Sequence, residues 1–371
     1  MGVKEAVPGC YDPPPRIMRA VILAGGEGTR LRPLTLSTPK PVVPVVDRPF
    51  LRHQLDLLAR AGVREVVFSV AYRPERVEAV FGDGSAFGVR IRYKVEETPL
   101  GTGGAVRHAL DLLDDRTVVM NGDVLSDIDL AALLARHAAA GASATILLTP
   151  VPNPSAYGLV ETDPGGRVLR FLEKPKPDEI TTDTINAGIY ILETRVLDLI
   201  PPGVSHSIER GFFPALLARG DQVLGPVHRG YWIDIGTPAK YLQVHRDILH
   251  GRFPVALEAE AARGGFVAAG ARVSAQAELE GPFFVGPGCE VDAGARLGPD
   301  AVLVSHVRVR PGASVRDSVL WSGAEAAEGA SVETSLVGPG VRIGRHAQVR
   351  GGLLGEGSVV SDHSRSPWEA A

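Results

Sequence analysis

Nine residues spaced six apart from Val267 are all aliphatic: Val267, Val273, Leu279, Val285, Val291, Leu297, Leu303, Val309 and Val315. Four residues after each stands Ala271, Ala277, Phe283, Cys289, Ala295, Ala301, Val307, Ala313 or Val319, mostly small. Aliphatic residues are a minority, so chance does not produce such a run. The pattern is the hexapeptide repeat of a parallel β-helix, three hexads to a triangular coil, and it resembles the left-handed form. The register slips near Trp321 and resumes, shifted, at Val337, Ile343 and Val349. This predicts about five coils with one irregular turn, ending by Ser361. Cys289 fills one of the small inward positions and reads as packing rather than as a reactive thiol.

The residues before the repeat follow another rule. Short apolar runs at Ala20 to Leu23, Glu65 to Ala71, Arg90 to Val95, Thr117 to Met120 and Thr145 to Thr149 alternate with helical patterns. The helices are expected at Pro49 to Ala61, Pro74 to Phe81, Gly103 to Leu113 and Leu130 to Ala140. Such alternation implies βαβ units and an α/β fold, a Rossmann-like, mostly parallel mixed sheet. The 371 residues suit two or three domains. The expected divisions are a flexible N-terminal arm at 1–16, an α/β domain at 17–255, the β-helix at 256–361 and a polar tail at 362–371.

The formal charge of −4 gives no bulk attraction to nucleic acid. Two cysteines, Cys10 and Cys289, make neither a disulfide framework nor a zinc cluster, so the chain reads as reduced and cytoplasmic. No apolar run nears membrane-spanning length, and the first 16 residues carry acids and prolines instead of a signal-peptide core. Lysine is scarce: six lysines stand against 33 arginines. Where a lysine is kept, arginine is expected not to serve.

In open α/β sheets ligands sit beyond the carboxyl ends of the strands. The loop after the first strand reads Leu23-Ala24-Gly25-Gly26-Glu27-Gly28-Thr29-Arg30-Leu31-Arg32-Pro33-Leu34-Thr35. Its glycines let backbone approach a ligand and present N–H groups to phosphate. It lacks the third glycine of a dinucleotide fingerprint and the Gly-Lys-Ser/Thr of a P-loop. Lys40 follows, locked between Pro39 and Pro41, a point charge suited to phosphate.

Taken together, these residues resemble the signature of nucleotidyltransferases that join a sugar 1-phosphate to a nucleoside triphosphate. Further matches run in order through Glu97-Thr98-Pro99-Leu100-Gly101-Thr102-Gly103, Asn121-Gly122-Asp123, Tyr157-Gly158, Phe171-Leu172-Glu173-Lys174-Pro175, Ile185-Asn186-Ala187-Gly188 and Trp232-Ile233-Asp234-Ile235-Gly236-Thr237-Pro238. The resemblance covers Arg19 to His250, and within the family it is nearest in wording to the mannose-1-phosphate guanylyltransferases, which often carry a C-terminal left-handed β-helix.

That resemblance implies a site. Leu23, Ala24, Gly25, Gly26, Gly28, Thr29, Glu97, Gly101, Thr102 and Gly122 would hold the nucleotide. Gly158, Glu173, Lys174, Asn186 and Asp234 would hold the sugar phosphate. Asp123 and Asp234 would bind Mg²⁺, a hard ion usually held by one or two carboxylates plus phosphate oxygens. Arg30, Lys40, Asp123 and Lys174 are the catalytic set: Arg30 and Lys40 grip the triphosphate, and Lys174 holds the incoming phosphate. No general base is expected, because a phosphate monoester is already ionised at pH 7.

The resemblance leaves base and sugar open between GTP with mannose 1-phosphate and a glucose 1-phosphate enzyme using dTTP, UTP or ATP. A non-catalytic nucleotide-sugar-binding subunit should have lost a motif residue, and none is lost. An acyltransferase reading would need His306 or His346 as base, and both occupy variable hexad positions. The β-helix is expected to support a homo-oligomer, and its removal to alter assembly more than chemistry.

Overall fold

The computed structural model describes residues 18–367. The expected N-terminal arm therefore lies outside the described residues, as does the end of the tail. Apart from a two-residue pair, Pro44–Val45 with Arg48–Pro49, the strands of the first unit are in chain order β1 (Arg19–Leu23), β2 (Glu65–Val70), β3 (Arg90–Val95), β4 (Arg116–Asn121), β5 (Val124–Ser126), β6 (Ala144–Pro150), β7 (Gly158–Thr162), β8 (Val168–Glu173), β9 (Thr184–Glu193), β10 (Val223–Leu224) and β11 (Trp232–Asp234). The helices are α1 (Phe50–Arg60), α2 (Pro74–Phe81), α3 (Gly101–His108), α4 (Leu130–Ala140), α5 (Phe213–Arg219) and α6 (Pro238–Leu249).

The main sheet runs β8-β7-β9-β4-β1-β2-β3, with β6 on β9 and β10 on β6. The half β4-β1-β2-β3 is parallel. The long strand β9 runs antiparallel to β4 and β6, and β7 and β8 form an antiparallel pair beside it. The sheet is apolar on both faces, as parallel strands covered by helices must be. Ala20 and Ile22 enter one core with Phe50, Phe68 and Met120, while Val21 enters another with Val106, Val119 and Phe213. The carboxyl ends of β1 and β4 meet at one place, where Gly122 donates its N–H to Leu23 O at 2.9 Å. A Cβ on residue 122 would lie 2.5 Å from that oxygen, so only glycine fits between the two strand ends.

The hexad residues build a triangular parallel β-helix with six parallel rungs on each face, one more than the sequence predicts. One face carries an added antiparallel strand, Glu260–Ala262. The register slip has a regular cause. One corner loses a residue in each of three successive coils, so the steps Val315 to Leu320, Val332 to Val337 and Val349 to Leu354 are five residues long. Buried serines fill that corner: Ser318 Oγ accepts from Ser335 N–H at 3.0 Å, and Ser335 Oγ accepts from Gly352 N–H at 2.9 Å. The ladder also passes Ser361, since Arg365–Pro367 pairs in parallel with Gln348–Arg350. This corrects the expected end, because the backbone supplies a further rung whatever the side-chain polarity. Cys289 is buried, and burial pushes its thiol up to about 11.

The two units share one core. Phe284, Val302, Val319, Trp321 and Leu336 on the β-helix pack in the same cluster as Phe50, Tyr241 and Val244. Polar contacts frame the junction: Arg246 grips Asp317 with two bonds of 2.6 Å, and His250 meets Asp300 at 2.8 Å. Near its centre, Val46 N–H donates to His245 Nδ1 at 3.2 Å, which fixes that nitrogen as an acceptor and the ring as neutral. Burial lowers His53 to about 4 and His245 to about 3. Between pH 6.5 and about 4 the unfolded chain takes up protons that these folded rings refuse. Stability should therefore fall across that window, by about 1.4 kcal/mol per pH unit for each ring, and should owe nothing to them above it. Urea unfolding at pH 7.5, 6 and 5 checks this, and the slope should lessen in His53→Gln.

Candidate active site

A cavity of about 430 Å³ opens at the carboxyl ends of β1 and β4. Leu23, Ala24, Gly25, Gly26, Gly28, Thr29 and Arg30 line it from the glycine-rich loop, Lys40 from the next turn, Gly101 and Thr102 from the start of α3, and Gly122 and Asp123 from the end of β4. Glu97 does not line it. Its neighbour Glu96 does, and this corrects the sequence reading. The chain leaves the sheet after Val95, yet Glu96 N–H still bonds Val70 O at 2.9 Å. That turns the Glu96 side chain beneath the loop, where Oε1 accepts from Ser69 Oγ at 2.8 Å and Oε2 from Leu100 N–H at 2.9 Å. Glu97 is exposed.

The start of α3 is held from behind. Thr102 Oγ1 donates to Glu209 Oε2 at 2.7 Å and accepts from Ile208 N–H at 2.9 Å. Gly101 has a φ of +67° and a Cβ there would lie 2.8 Å from His206 O, so both backbone and space demand glycine.

Lys40 is buried, and its Nζ lies 3.0 Å from Asp123 Oδ2. Asp234 ends β11, whose antiparallel pairing with β5 sets it opposite Val124. Ile235 N–H bonds Asp123 O at 3.0 Å, so the two aspartates come from adjoining strand ends. Asp234 Oδ1 accepts from Gly236 N–H at 3.1 Å, and Oδ2 accepts from Tyr157 at 2.8 Å and from Lys240. Burial raises the Asp234 carboxyl, but the bonds from Lys240 and Tyr157 outweigh it and hold the group below its ordinary range. The guanidinium of Arg30 comes close too: a Cβ on Gly236 would meet Arg30 Nη2 at 2.6 Å and Asp234 Oδ1 at 2.7 Å. Arg30 and Lys174 are exposed and make no ion pair among the described residues.

The remaining predicted residues adjoin this cavity without lining it. Lys174 N–H bonds Tyr157 O at 2.9 Å, and Lys174 holds a φ of +54°, a strained setting for a lysine. Glu173 lies against Gly158, and burial, helped by the nearby Glu209 carboxylate, raises its carboxyl. Asn186 is already engaged, donating to Tyr190 Oη at 2.8 Å and accepting from Gly188 N–H at 2.9 Å. Sequence reasoning assigned no role to Glu96, Asn121, Tyr157 or Lys240. Asn121 lines the cavity, and its Oδ1 is buried with no partner among the described residues. Lys240 had a signal, being one of the six lysines.

His306 and His346 both sit at coil corners with positive φ, and His346 stacks on His363 at 5.2 Å. Their placement is that of corner residues.

The fold and this site define a nucleotide-handling α/β enzyme, and the comparisons agree. Residues 19–251 match the family model "Nucleotidyl transferase", and 279–365 match "GMPPB C-terminal domain". The chain belongs to the nucleotidyltransferase family. It is 46% identical over 302 residues to a mannose-1-phosphate guanylyltransferase of Mycobacterium tuberculosis, covering 80% of this chain and 82% of that one. It is 34% identical over 320 residues to a UTP–glucose-1-phosphate uridylyltransferase of Synechocystis, covering 81% and 82%. Among solved structures, HddC of Yersinia pseudotuberculosis in complex with GMP-PN matches with a TM-score of 0.54 at 28% identity, over 62% of this chain and 99% of that one. Among the described residues no helix is long and apolar enough to cross a membrane.

Proposed function

We propose that this chain transfers a guanylyl group from GTP to mannose 1-phosphate, giving GDP-mannose and pyrophosphate with Mg²⁺. The observation that carries the base is Glu96. Guanine presents two adjacent donors, N1–H and the N2 amino group, and a carboxylate accepts both. Uracil and thymine set a single N3–H between two carbonyls, which a carboxylate repels. Each Glu96 oxygen keeps a second lone pair beyond its bond to Ser69 or Leu100. The 46% identity to the mycobacterial guanylyltransferase supports both base and sugar.

Asp123 and Asp234 suit Mg²⁺. Both are hard oxygen donors on adjoining strand ends, and each already faces a cation. Such an ion would take its other ligands from the substrates' phosphate oxygens. When bound, the ion screens the charge between the two phosphate-bearing substrates. Arg30 and Lys40 bind the triphosphate and steady the leaving pyrophosphate. Lys174 orients the sugar phosphate for attack on the α-phosphorus, and Glu173 receives sugar hydroxyls.

Pyrophosphate release tests this, with four NTPs and dTTP crossed with mannose 1-phosphate and glucose 1-phosphate. GTP with mannose 1-phosphate should give the highest kcat/KM. The Synechocystis relative favours a second reading, UTP with glucose 1-phosphate, which the same grid distinguishes. Glu96→Gln should cut the preference for GTP over UTP by roughly 10²-fold. Lys174→Ala should raise the sugar-phosphate KM about tenfold and the GTP KM far less. Unchanged ratios would remove those roles. Self-association through the β-helix belongs to the same proposal, and a monomeric mass by light scattering would contradict it.

A further inference from the structure

Lys240 has no task in the reaction just described. It stands in the first turn of α6, its N–H bonded to Thr237 Oγ1 at 3.3 Å. Its ammonium reaches back to Asp234 Oδ2 and to the Tyr157 hydroxyl, and lies 4.8 Å from the centre of the Tyr157 ring. Tyr157 donates to the same Asp234 oxygen, and its carbonyl accepts from Lys174 N–H. Trp232 packs edge-on against Tyr157 at 5.7 Å and is tied by its indole N–H to Ala187 O at 2.9 Å. Lys240 is thus lodged between one aspartate and the loop that presents Lys174.

Charge explains why a cation is needed there. The site must admit a triphosphate and a phosphate monoester, and a bare carboxylate would repel both. Lys240 neutralises Asp234. Its partners also block access to that carboxylate, since Lys240 and Tyr157 together occupy Oδ2 while Gly236 takes one lone pair of Oδ1. A divalent ion placed against Asp234 would stand beside an ammonium and be repelled by it. The side chain of Lys240 is 35% exposed and that of Asp234 12%, so the lysine has room to leave and the aspartate does not. A four-carbon stem with a point charge can move from one oxyanion to another, which a guanidinium fixed in a planar fork does poorly.

We propose that Lys240 is the resident counter-ion of Asp234, and that it exchanges Asp234 for the phosphate of the incoming sugar phosphate when the divalent cation binds. This rests on the reading of Asp234 as a metal ligand. Lys240 is then a positioning residue in the empty enzyme and a second phosphate contact, beside Lys174, in the loaded one.

The test is titration of Mn²⁺ into the full chain without nucleotide, with free ion read by electron paramagnetic resonance. Lys240→Met removes the competing charge and should bind Mn²⁺ about tenfold more tightly than the unaltered protein. Asp234→Asn should bind it more weakly. In steady state, Lys240→Met should raise the sugar-phosphate KM about tenfold with the GTP KM and kcat nearly unchanged, and Lys240→Arg should restore that KM only in part. Mn²⁺ affinity equal to or weaker than that of the unaltered protein in Lys240→Met would overturn the exchange and leave Lys240 as a support for Asp234. Asp234→Asn binding Mn²⁺ as well as the unaltered protein would instead remove the metal reading, and the exchange with it. If Lys240→Met fails to fold, Lys240→Gln makes the same comparison, keeping a hydrogen-bond donor to Asp234 without the charge.

Discussion

Asp123→Asn should lower kcat by roughly 10³-fold while leaving the fold intact. Asparagine matches aspartate in shape, and the position is set by backbone: Gly122 is bonded to Leu23 O and the Asp123 carbonyl to Ile235 N–H. The Asp123 carboxylate is paired with the Lys40 ammonium. Removing the carboxylate therefore has two consequences at the site. The cation proposed there loses one of its two protein ligands, and the buried Lys40 ammonium loses its counter-ion and is left free to bind phosphate more tightly in the ground state. A falling kcat with an unchanged or lower GTP KM is the expected pattern. Asp127, an exposed aspartate four residues on that pairs with His228 at 2.7 Å, supplies the control. Asp127→Asn should keep nearly all activity. Pyrophosphate release measured on both variants decides, and turnover retained by Asp123→Asn would end its assignment.

The parts of this molecule that periodicity encodes are legible in the sequence. Val21 between Ala20 and Ile22 tells of a strand buried on both faces, and the hexads tell of a coil. The five-residue corner was visible only as a slip at Trp321, because what stabilises it is a stack of Ser318 on Ser335, a contact between residues 17 apart that no local pattern reports. The site divides the same way. Gly122 and Gly101 are dictated by backbone contacts that leave a motif in the chain. Glu96 and Glu97 look alike in sequence, and only the last hydrogen bond of β3 to Val70 decides which carboxylate turns inward. Lys240 meets Tyr157, a residue 83 positions earlier, and only the scarcity of lysine marks it in the sequence.

Truncation after residue 255 should abolish activity together with cooperative unfolding, against the sequence expectation that chemistry would survive it. The reason is the shared core. Without the β-helix, Phe50, Tyr241 and Val244 lose Phe284, Val302, Val319, Trp321 and Leu336 as neighbours, and a large apolar face is opened to water. The β-helix also touches the catalytic loop directly. A Cβ on Gly355 in the last coils would lie 2.9 Å from Pro33 Cβ, so the glycine-rich loop is wedged against that coil. Gly355→Val separates this contact from the loss of the core. It should shift Pro33, and with it Arg30, enough to lower kcat/KM for the nucleotide about tenfold. Because the site of change is at the far end of the coil stack, the melting temperature should move by only a few degrees. Thermal melts and steady-state kinetics on both proteins test the pair. A soluble, active 1–255 fragment would show that the catalytic domain folds without the shared core. Unchanged kinetics in Gly355→Val would show that the last coil leaves the loop free.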